Sequence, residues 1–364
     1  MADTASARLT INLDALAHNH AVLRREAAGA EVAPVLKSDG YGLGAGPVAR
    51  RLWAEGARSF FVARLTEGEA LRDALSPERP ATIYILDGMT EGAGARLQAA
   101  GLTPVLSSLP QVSAATAYAG GAAQPWRVAL SVDTGMSRQG LTPEEARAVV
   151  QTTDRLRGLD IGLLMSHLGS ASEPENPRNV RQLECFLEVR SLFPQARASL
   201  AASAGTFLGA DYRFDMVRPG ISLFGGGPLE RPDDRLSAVA TLTAPILDIR
   251  NLRAGDVVGY GESVRIEAPT RVAVVAAGYT DGVIRAAKAG GRAWFAGAPR
   301  RLLIVNMDIL VIEIGDAEAA VGQSVELLGP NAPLDDLAVA GGTVPHEILV
   351  RLSRRAERIY LGEA

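Results

Sequence analysis

The sequence of 364 residues has few of the side chains that form disulfides or bind metals, with one cysteine and four histidines. The single thiol, Cys185, excludes an intrachain disulfide and a cysteine-based metal site. It lies in the helical pattern "RQLECFLEVR", where we expect a buried or inert thiol. His18 and His20 fall on one N-terminal amphipathic helix, which argues against a metal cluster. A metalloenzyme is therefore not expected.

The chain also lacks a strong charge of either sign and a long apolar run. Its formal net charge is -4, which predicts no basic surface for nucleic acid. The N-terminus "MADTASARLTINLDALAHNH" has no basic segment followed by an apolar core, and no stretch approaches the ~18 apolar residues of a membrane span. The sequence therefore predicts a cytoplasmic protein that acts on a small molecule, with no nucleic acid or membrane as a partner.

With 47% hydrophobic and 21% charged residues, the chain is globular and long enough for a large α/β barrel with an appendage. Between about residues 31 and 220, short β-branched segments alternate with helical patterns. The eight candidate strands are "EVAPVLK", "SFFVARL", "ATIYILD", "LTPVLS", "WRVALSV", "GLDIGLLMSH", "ARASLAAS" and "FDMVRPG". Eight repeats of strand and helix predict a (β/α)8 barrel of the TIM type.

A different pattern begins at about residue 235. Segments such as "VATLTAPILDIRNL", "RVAVVAAGY", "RRLLIVNMDILVIEI" and "SVELLG" are separated by glycine-rich turns, which predicts an all-β part. Glycine, proline and charge cluster between the two patterns at "GGGPLERPDDRLS". We therefore predict a barrel over 1–234 and a β-rich domain over 235–364.

The segment "PVLKSDGYGLG", residues 34–44, carries Lys37 from an apolar strand into a glycine-rich turn. In a (β/α)8 barrel the chemistry lies at the carboxyl ends of the strands, where the conspicuous polar residues of this chain fall. They are Lys37, Arg138, His167, Ser203 and Arg218. A lysine beside other cations is activated to form a Schiff base, and a cationic pocket favours an anionic ligand. A phosphorylated aromatic aldehyde would meet both requirements.

A dinucleotide-binding loop is the alternative for the same glycines. The spacing G-x-G-x-x-G that starts at Gly40 ends on Ala45, and the one that starts at Gly42 ends on Pro47. No G-K-[ST] follows, so a P-loop is excluded as well. The lysine itself is therefore the favoured chemical group.

The segment around Lys37 resembles the cofactor-lysine segment of alanine racemases, the fold-type III barrel enzymes that depend on pyridoxal 5′-phosphate. The resemblance recurs in order along nearly the whole chain, at "INLDALAHNHAVLR", "VDTGMSRQG", "MSHLGSAS", "VRPGISLFG", "AAGYTDG", "NMDILVIEI" and "GGTVPHEIL". Single matches to "RPG" or "GYTDG" would be weak, but several motifs in one order are specific. The resemblance implies racemisation of L-alanine and D-alanine on this cofactor.

The resemblance also implies which residues bind the cofactor: Lys37, Tyr41, Arg138, His167, Ser203, Arg218, Gly220 and Ile221. Lys37 would bind it covalently, and Tyr41, Ser203, Gly220 and Ile221 would hold its phosphate. Arg218 would face the pyridine nitrogen with His167 hydrogen-bonded to it, and Arg138 would neutralise the phenolic oxygen. A guanidinium donates but does not readily release a proton, so the ring nitrogen stays unprotonated. The weaker electron sink favours simple proton exchange.

Racemisation needs a base on each face of the α-carbon. Lys37 is one, and the resemblance implies Tyr279 as the other, with Arg138, Met307 and Asp308 beside the substrate carboxylate. In the family this tyrosine comes from the partner subunit of a head-to-tail homodimer, so each active site would be shared. D-alanine is a peptidoglycan precursor, and the sequence leaves a biosynthetic and a catabolic role open.

Several positions depart from the family pattern. Family residues are replaced by Ser131, Ser172, Ala202, Ile304, His346 and Arg354, which puts side-chain selectivity in doubt. Ser131 stands where many members have a lysine, carbamylated in some. A buried Arg138 would then need a counter-charge, and we predict chloride between Arg138 and residue 131.

Two other activities and one non-catalytic role remain as alternatives. A racemase of broader specificity, for example for serine, would use the same bases. A fold-type III amino-acid decarboxylase matches "SHLGS", but "VRPG" argues against it because an acid normally partners the pyridine nitrogen there. A single-barrel pyridoxal phosphate carrier would lack the residues after 235.

Overall fold

The computed structural model describes residues 7–120, 124–152, 154–262 and 264–363. Within them two compact units are found, which we call the barrel unit (19–40 and 44–223) and the β unit (7–18, 41–43 and 224–363). No helix in the described ranges has the length and apolar character needed to cross a membrane. The chain opens with strand β1 (Arg8–Asn12) and helix α1 (Leu13–Ala27).

The barrel unit contains eight parallel strands, and each overlaps one of the eight predicted segments. They are β2 (Glu31–Val32), β3 (Ser59–Val62), β4 (Thr82–Ile85), β5 (Leu102–Leu106), β6 (Trp126–Ser131), β7 (Leu159–Met165), β8 (Arg197–Ser199) and β9 (Met216–Val217). Strands β3 to β8 pair in chain order, and β9 pairs with β2. The bridges Val35–Phe61 and Ala202–Arg218 join β2 to β3 and β8 to β9, so the ring is closed.

Short and long helices separate these strands. They are α2 (Lys37–Tyr41), α3 (Ala45–Ala54), α4 (Leu65–Leu75), α5 (Gly94–Ala99), α6 (Leu109–Ala119), α7 (Pro143–Gln151), α8 (Pro177–Arg190) and α9 (Ser203–Thr206), with 3-10 turns at Ala210–Tyr212 and Ile221–Phe224. The starts follow local sequence: Thr142 and Glu145 form a capping box at α7, and the Asn176 side chain caps α8. Proline occupies the first turn of both helices.

The interior of the barrel unit is filled by inward-facing side chains. Phe61 and Tyr84 stack at 4.5 Å between ring centroids, surrounded by Ala33, Val105 and other buried apolar residues. A packed interior leaves no pore, so chemistry is confined to the ends of the strands. Parallel strands in one ring bring all their carboxyl ends to the same face.

The β unit is built on antiparallel strands. They are β10 (Ala240–Leu252), β11 (Val257–Val258), β12 (Val264–Arg265), β13 (Thr270–Val275), β14 (Arg292–Phe295), β15 (Ala298–Val305), β16 (Leu310–Glu313) and β17 (Ser324–Leu328), followed near the C-terminus by β18 (Glu357–Leu361). The pairing order is β13-β16-β15-β14-β17-β10, and the second half of β10 returns to β13. The six strands therefore close into a small barrel. The predicted fold class is confirmed.

Two features of the β unit differ from a purely β pattern. Helices α10 (Leu334–Ala340) and α11 (Pro345–Arg351) precede β18, and 3-10 turns lie at Tyr260–Glu262, Tyr279–Asp281 and Arg285–Ala289. Strand β1, from the other end of the chain, pairs with β10 and in parallel with β18. Periodicity within one segment cannot reveal such distant pairing. The exact predicted division after residue 234 stays a prediction.

Candidate active site

Lys37 follows the end of β2 and opens a left-handed turn. The four residues 38–41 have φ values of 55°, 56°, 63° and 56°. Apart from glycine, L-residues pay about 1–2 kcal/mol each for this conformation, so surrounding groups must hold it. One such group is Glu67, whose Oε1 accepts the N–H of Ser38 at 2.8 Å. Its Oε2 also accepts the N–H of Ala63 at 2.8 Å, which ties the lysine turn to the start of α4.

Asp39 supports the same turn from within. Its Oδ1 accepts the N–H of Ala45 at 2.9 Å, at the first residue of α3. A side-chain oxygen there satisfies one of the backbone donors that a helix start leaves unpaired. Asp39 is thus a capping residue, in keeping with its position in a glycine-rich loop.

A cavity of about 220 Å³ opens beside Lys37, and we call it the mouth cavity. Its polar lining includes Asp87 after β4, Ser131 at the end of β6, Arg138 after β6, and His167 after β7. Three of the predicted site residues, Lys37, Arg138 and His167, therefore meet at one opening. Lys37 and Arg138 are exposed, and His167 is half-buried.

The charge environment of Lys37 suits a nucleophilic amine. Although the Lys37 residue as a whole is exposed, the protein atoms around its amine reduce its hydration and lower its pKa below 10.5. The positive charge of Arg138 lowers the pKa further. The carboxylates of Glu67 and Asp87 act in the opposite direction. Desolvation is the largest cause and the net direction is downward, so more of the amine is neutral at a given pH than in a free lysine.

This electrostatic arrangement predicts opposite effects of two substitutions. Arg138→Gln removes a cation and should raise the pKa of Lys37, whereas Asp87→Asn removes an anion and should lower it further. Competitive acylation of the cofactor-free protein over a range of pH would measure both. Lys288, the only other lysine, gives an internal reference in each peptide map. Equal midpoints in all three proteins would contradict the assigned causes.

Arg218 directly follows β9 and is only 3% exposed. Its guanidinium donates to the hydroxyl of Ser199 and to the carbonyls of Ser166 and Leu200. It also lies 5.9 Å from the ring centroid of Phe61. Burial lowers the pKa of Arg218, but these acceptors compensate the charged form and fix the plane of the group. The predicted bond to His167 stays a prediction.

Ser203 organises the backbone after β9. Its hydroxyl accepts the N–H of Gly220 at 3.0 Å and the N–H of Ser222 at 3.3 Å. The Ser222 hydroxyl is fully buried, and none of the described residues gives it a hydrogen-bond partner. A buried polar atom of this kind normally has one. The residues here fit a phosphate, whose oxygens accept several hydrogen bonds at once.

Tyr41 is 5% exposed and belongs to the β unit. Its ring lies near those of Phe224 and His346, with centroids at 5.1 Å and 5.8 Å. Burial raises the pKa of its phenol, so the group stays a neutral hydrogen-bond donor. A neutral hydroxyl is suited to the predicted phosphate contact.

Tyr279 begins the 3-10 turn after β13, and its side chain is 42% exposed. Met307 and Asp308 form the turn between β15 and β16, and Met307 is 52% exposed. The backbones of these turns contact each other, since the N–H of Tyr279 donates to the carbonyl of Asn306 at 2.9 Å. The β unit therefore presents the predicted second base and the predicted carboxylate contact together on its surface.

Two family models account for nearly all of the chain. The model of the alanine racemase N-terminal domain matches residues 11–228, and that of the C-terminal domain matches residues 239–360. The chain belongs to the alanine racemase family. The family that the sequence motifs predict is thus confirmed.

Individual alanine racemases are similar over their full length. One from Methylobacterium sp. is 42% identical over 361 residues, 98% of each chain. The catabolic alanine racemase of Agrobacterium fabrum is 38% identical over 363 residues, 98% of this chain and 92% of that protein. The crystal structure of the Bartonella henselae alanine racemase with covalently bound pyridoxal phosphate has a TM-score of 0.91, at 33% identity and coverage of 98% and 100%.

The chloride predicted between Arg138 and residue 131 depends on the burial of Arg138. Within one subunit Arg138 is exposed and Ser131 is half-buried. One subunit alone therefore shows no desolvation cost that a bound anion would offset. The chloride stays a prediction.

Ile304, a departure from the family pattern, lies in the core of the β unit. It is 6% exposed and packs with Val272, Leu303 and Val311. An apolar side chain at this position adds to the packing of the small barrel, where a buried charge would need a partner. The structure thus explains this replacement by packing.

Sequence reasoning missed Glu67, Ser222 and Arg355. Glu67 is the third residue of α4, and the only local sign of its role is its place as the acid of a capping box, three residues after the N-cap Arg64. Ser222 stands inside "VRPGISLFG", two residues after Gly220, where a hydroxyl in a predicted phosphate turn was a usable signal. Arg355 gave no signal beside the more conspicuous Arg354.

Proposed function

We propose that Lys37 and Tyr279 are the two bases with which this chain interconverts L-alanine and D-alanine on pyridoxal 5′-phosphate. One observation carries the proposal: Lys37, whose pKa is lowered, lines the mouth cavity with Arg138 and His167 at the carboxyl ends of the barrel strands. Family membership confirms the predicted isomerase activity and its cofactor. The residue roles are our proposal.

The residues present fit the cofactor at its phosphate end and at its aldehyde end. The fully buried Ser222 hydroxyl and the Ser203 hydroxyl would hold the phosphate, with the backbone of Gly220 and Ile221 and the phenol of Tyr41. Lys37 would bind the aldehyde carbon. When bound, the cofactor supplies an electron sink for the pair of electrons left on the α-carbon.

The remaining residues would determine which reaction the bound cofactor supports and how the substrate is held. Arg218 offers only N–H donors, so it would leave the pyridine nitrogen unprotonated and limit side reactions. Arg138 would neutralise the phenolic oxygen and contact the substrate carboxylate, which the backbone N–H of Met307 and Asp308 would border. Tyr279 would hold or deliver the proton on the face opposite Lys37.

We further propose a head-to-tail homodimer in which Tyr279 of each subunit completes the site of the other. The exposed positions of Tyr279 and Met307 support this arrangement. A cytoplasmic location, a supply of D-alanine for peptidoglycan, and the domain division after residue 234 belong to the same proposal.

Chiral chromatography after incubation with single L-amino acids tests the function. D-alanine should form from L-alanine, with D-serine as a minor product if the specificity is broad. Release of carbon dioxide would favour the decarboxylase, which Arg218 disfavours because it replaces the acid expected beside the pyridine nitrogen.

Substitution of Ser203 tests the proposed binding of the cofactor phosphate. Ser203→Ala removes the hydroxyl that we propose donates to the phosphate and that also fixes two backbone N–H groups. It should weaken cofactor binding on the order of 10- to 100-fold, the scale of a hydrogen bond to a charged group. Titration of the cofactor-free protein would measure this. Ser108→Ala, which removes the cap of α6, is the matched control and should leave cofactor affinity unchanged.

A further inference from the structure

Two turns of the β unit carry the proposed second base and the proposed carboxylate contact. The turn after β13 holds Tyr279, and the turn between β15 and β16 holds Met307. The N–H of Thr280 donates to the carbonyl of Met307 at 3.1 Å, and the Thr280 hydroxyl donates to the same oxygen at 2.6 Å. Backbone and side chain thus connect the two turns.

The turns also approach too closely to admit a side chain between them. A Cβ added at Gly278 would lie 2.3 Å from the carbonyl oxygens of Asn306 and Met307. Such a separation is far inside van der Waals contact, so glycine is required at this position. The base and the carboxylate contact consequently sit on backbones in direct contact.

Arg355 joins the carboxylates of both turns through one guanidinium. Its Nε donates to Asp281 Oδ1 at 2.8 Å, and its Nη2 donates to Asp281 Oδ2 at 3.0 Å. Its remaining nitrogen, Nη1, donates to Asp308 Oδ1. The planar fork of arginine can make all three bonds at once, whereas the single ammonium of lysine cannot match two fixed carboxylates in this way.

Through Asp281, Arg355 is connected to the backbone next to Tyr279. Asp281 is 2% exposed, and its Oδ2 also accepts the N–H of Gly278, the residue before Tyr279, at 2.8 Å. The N–H of Asp281 in turn donates to the carbonyl of Gly278 at 3.0 Å. The orientation of this buried carboxylate therefore sets the orientation of the peptide from which the tyrosine side chain projects.

We propose that Arg355 is the positioning residue of the second base. By holding Asp281 and Asp308 in one geometry, it fixes the separation between the Tyr279 hydroxyl and the substrate-carboxylate contact at Met307. The inference rests on the proposed role of Tyr279. Arg355 itself touches neither substrate nor cofactor and acts only through these two turns.

Activity alone cannot test this role, because the two enantiomers have equal free energies. The ratio of kcat/KM in the two directions is fixed at unity by that equality, whichever step is slowed. The discriminating measurement is the primary isotope effect with L-alanine and with D-alanine, each deuterated at the α-carbon. If Tyr279 removes the proton of L-alanine and Lys37 that of D-alanine, slowing only the tyrosine step changes the two effects in opposite directions.

Arg355→Met should lower kcat by ~10- to 100-fold, the scale of a misplacement of about 1 Å. The isotope effect should rise with L-alanine and fall towards unity with D-alanine. Arg355→Lys should change kcat and the two isotope effects in the same directions but by smaller amounts. If Arg355→Met does not fold, Arg355→Lys provides the test. Arg8→Met, which removes an exposed ion pair to Glu357 in the same unit, is the matched control and should match the parent enzyme.

A uniform loss of rate with both isotope effects unchanged would show that Arg355 serves only the fold, and it would overturn the inference. That failure is distinct from a failure of the proposed function. If Tyr279→Phe keeps the parent rate, the base assignment fails. If Tyr279→Phe is inactive while the isotope effects of the Arg355 variants stay unchanged, the positioning role alone fails.

Discussion

Tyr279→Phe is expected to lower alanine racemisation by ~10²- to 10⁴-fold, the usual scale for loss of a general base. The substitution removes one hydroxyl and leaves the ring, so the packing of the β unit should not change. Tyr279 is 42% exposed, and a surface change of this kind alters the free energy of unfolding by about 0.5 kcal/mol or less. Chiral chromatography would measure the rate, and the absorbance of the bound cofactor should remain.

The matched control for this loss is another exposed phenol of the same unit. Tyr260 is 85% exposed, and Tyr260→Phe should racemise alanine at the parent rate. A Tyr279→Phe variant within about twofold of the parent enzyme would refute the base assignment, since general-base help is worth far more.

Lys37→Ala should cause a still larger loss, on the order of 10⁴-fold or more, because one residue serves as covalent attachment and as base. Neither D-alanine nor L-alanine should then be converted at a useful rate. Added methylamine should restore part of the activity, since a free amine can replace the missing base in the mouth cavity. Borohydride reduction of the parent protein and peptide mapping would show the attachment directly.

The small number of lysines makes the labelled peptide easy to assign. Lys37 and Lys288 are the only lysines of the chain, so reduction can label one of two peptides. We expect the label on Lys37, and we expect Lys288→Ala to keep full activity. A label on Lys288, or an active Lys37→Ala variant without added amine, would contradict the assignment.

The barrel was predictable from the sequence because its signal is local and repeated. Each strand is a short apolar segment beside a segment with the helix period, and the first four residues of "SFFVARL" form β3, Ser59–Val62. The predicted polar residues fall at strand ends, which a closed parallel ring necessarily brings to one face. Lys37, Arg138 and His167 meet in the mouth cavity for this reason.

The remaining features depend on groups that are distant in the sequence or on solvent exposure. Arg355 reaches Asp281 across 74 positions, and no periodicity relates them. The exposure of Arg138 within one subunit depends on how its loop leaves β6, which the local sequence pattern does not reveal. The left-handed turn after Lys37 includes three residues other than glycine, and their φ values follow from surrounding hydrogen bonds more than from local preference.

Hydrogen exchange catalysed by Tyr279→Phe in deuterated water tests the two-base account most directly. With the tyrosine base absent, Lys37 can still remove and return the α-proton of D-alanine on its own face, without inversion. We therefore predict that D-alanine gains deuterium with retention of configuration much faster than it is converted to L-alanine, while L-alanine gains deuterium no faster than the residual racemisation. Faster exchange into L-alanine, or equal exchange into both enantiomers, would contradict the assignment of one base to each face.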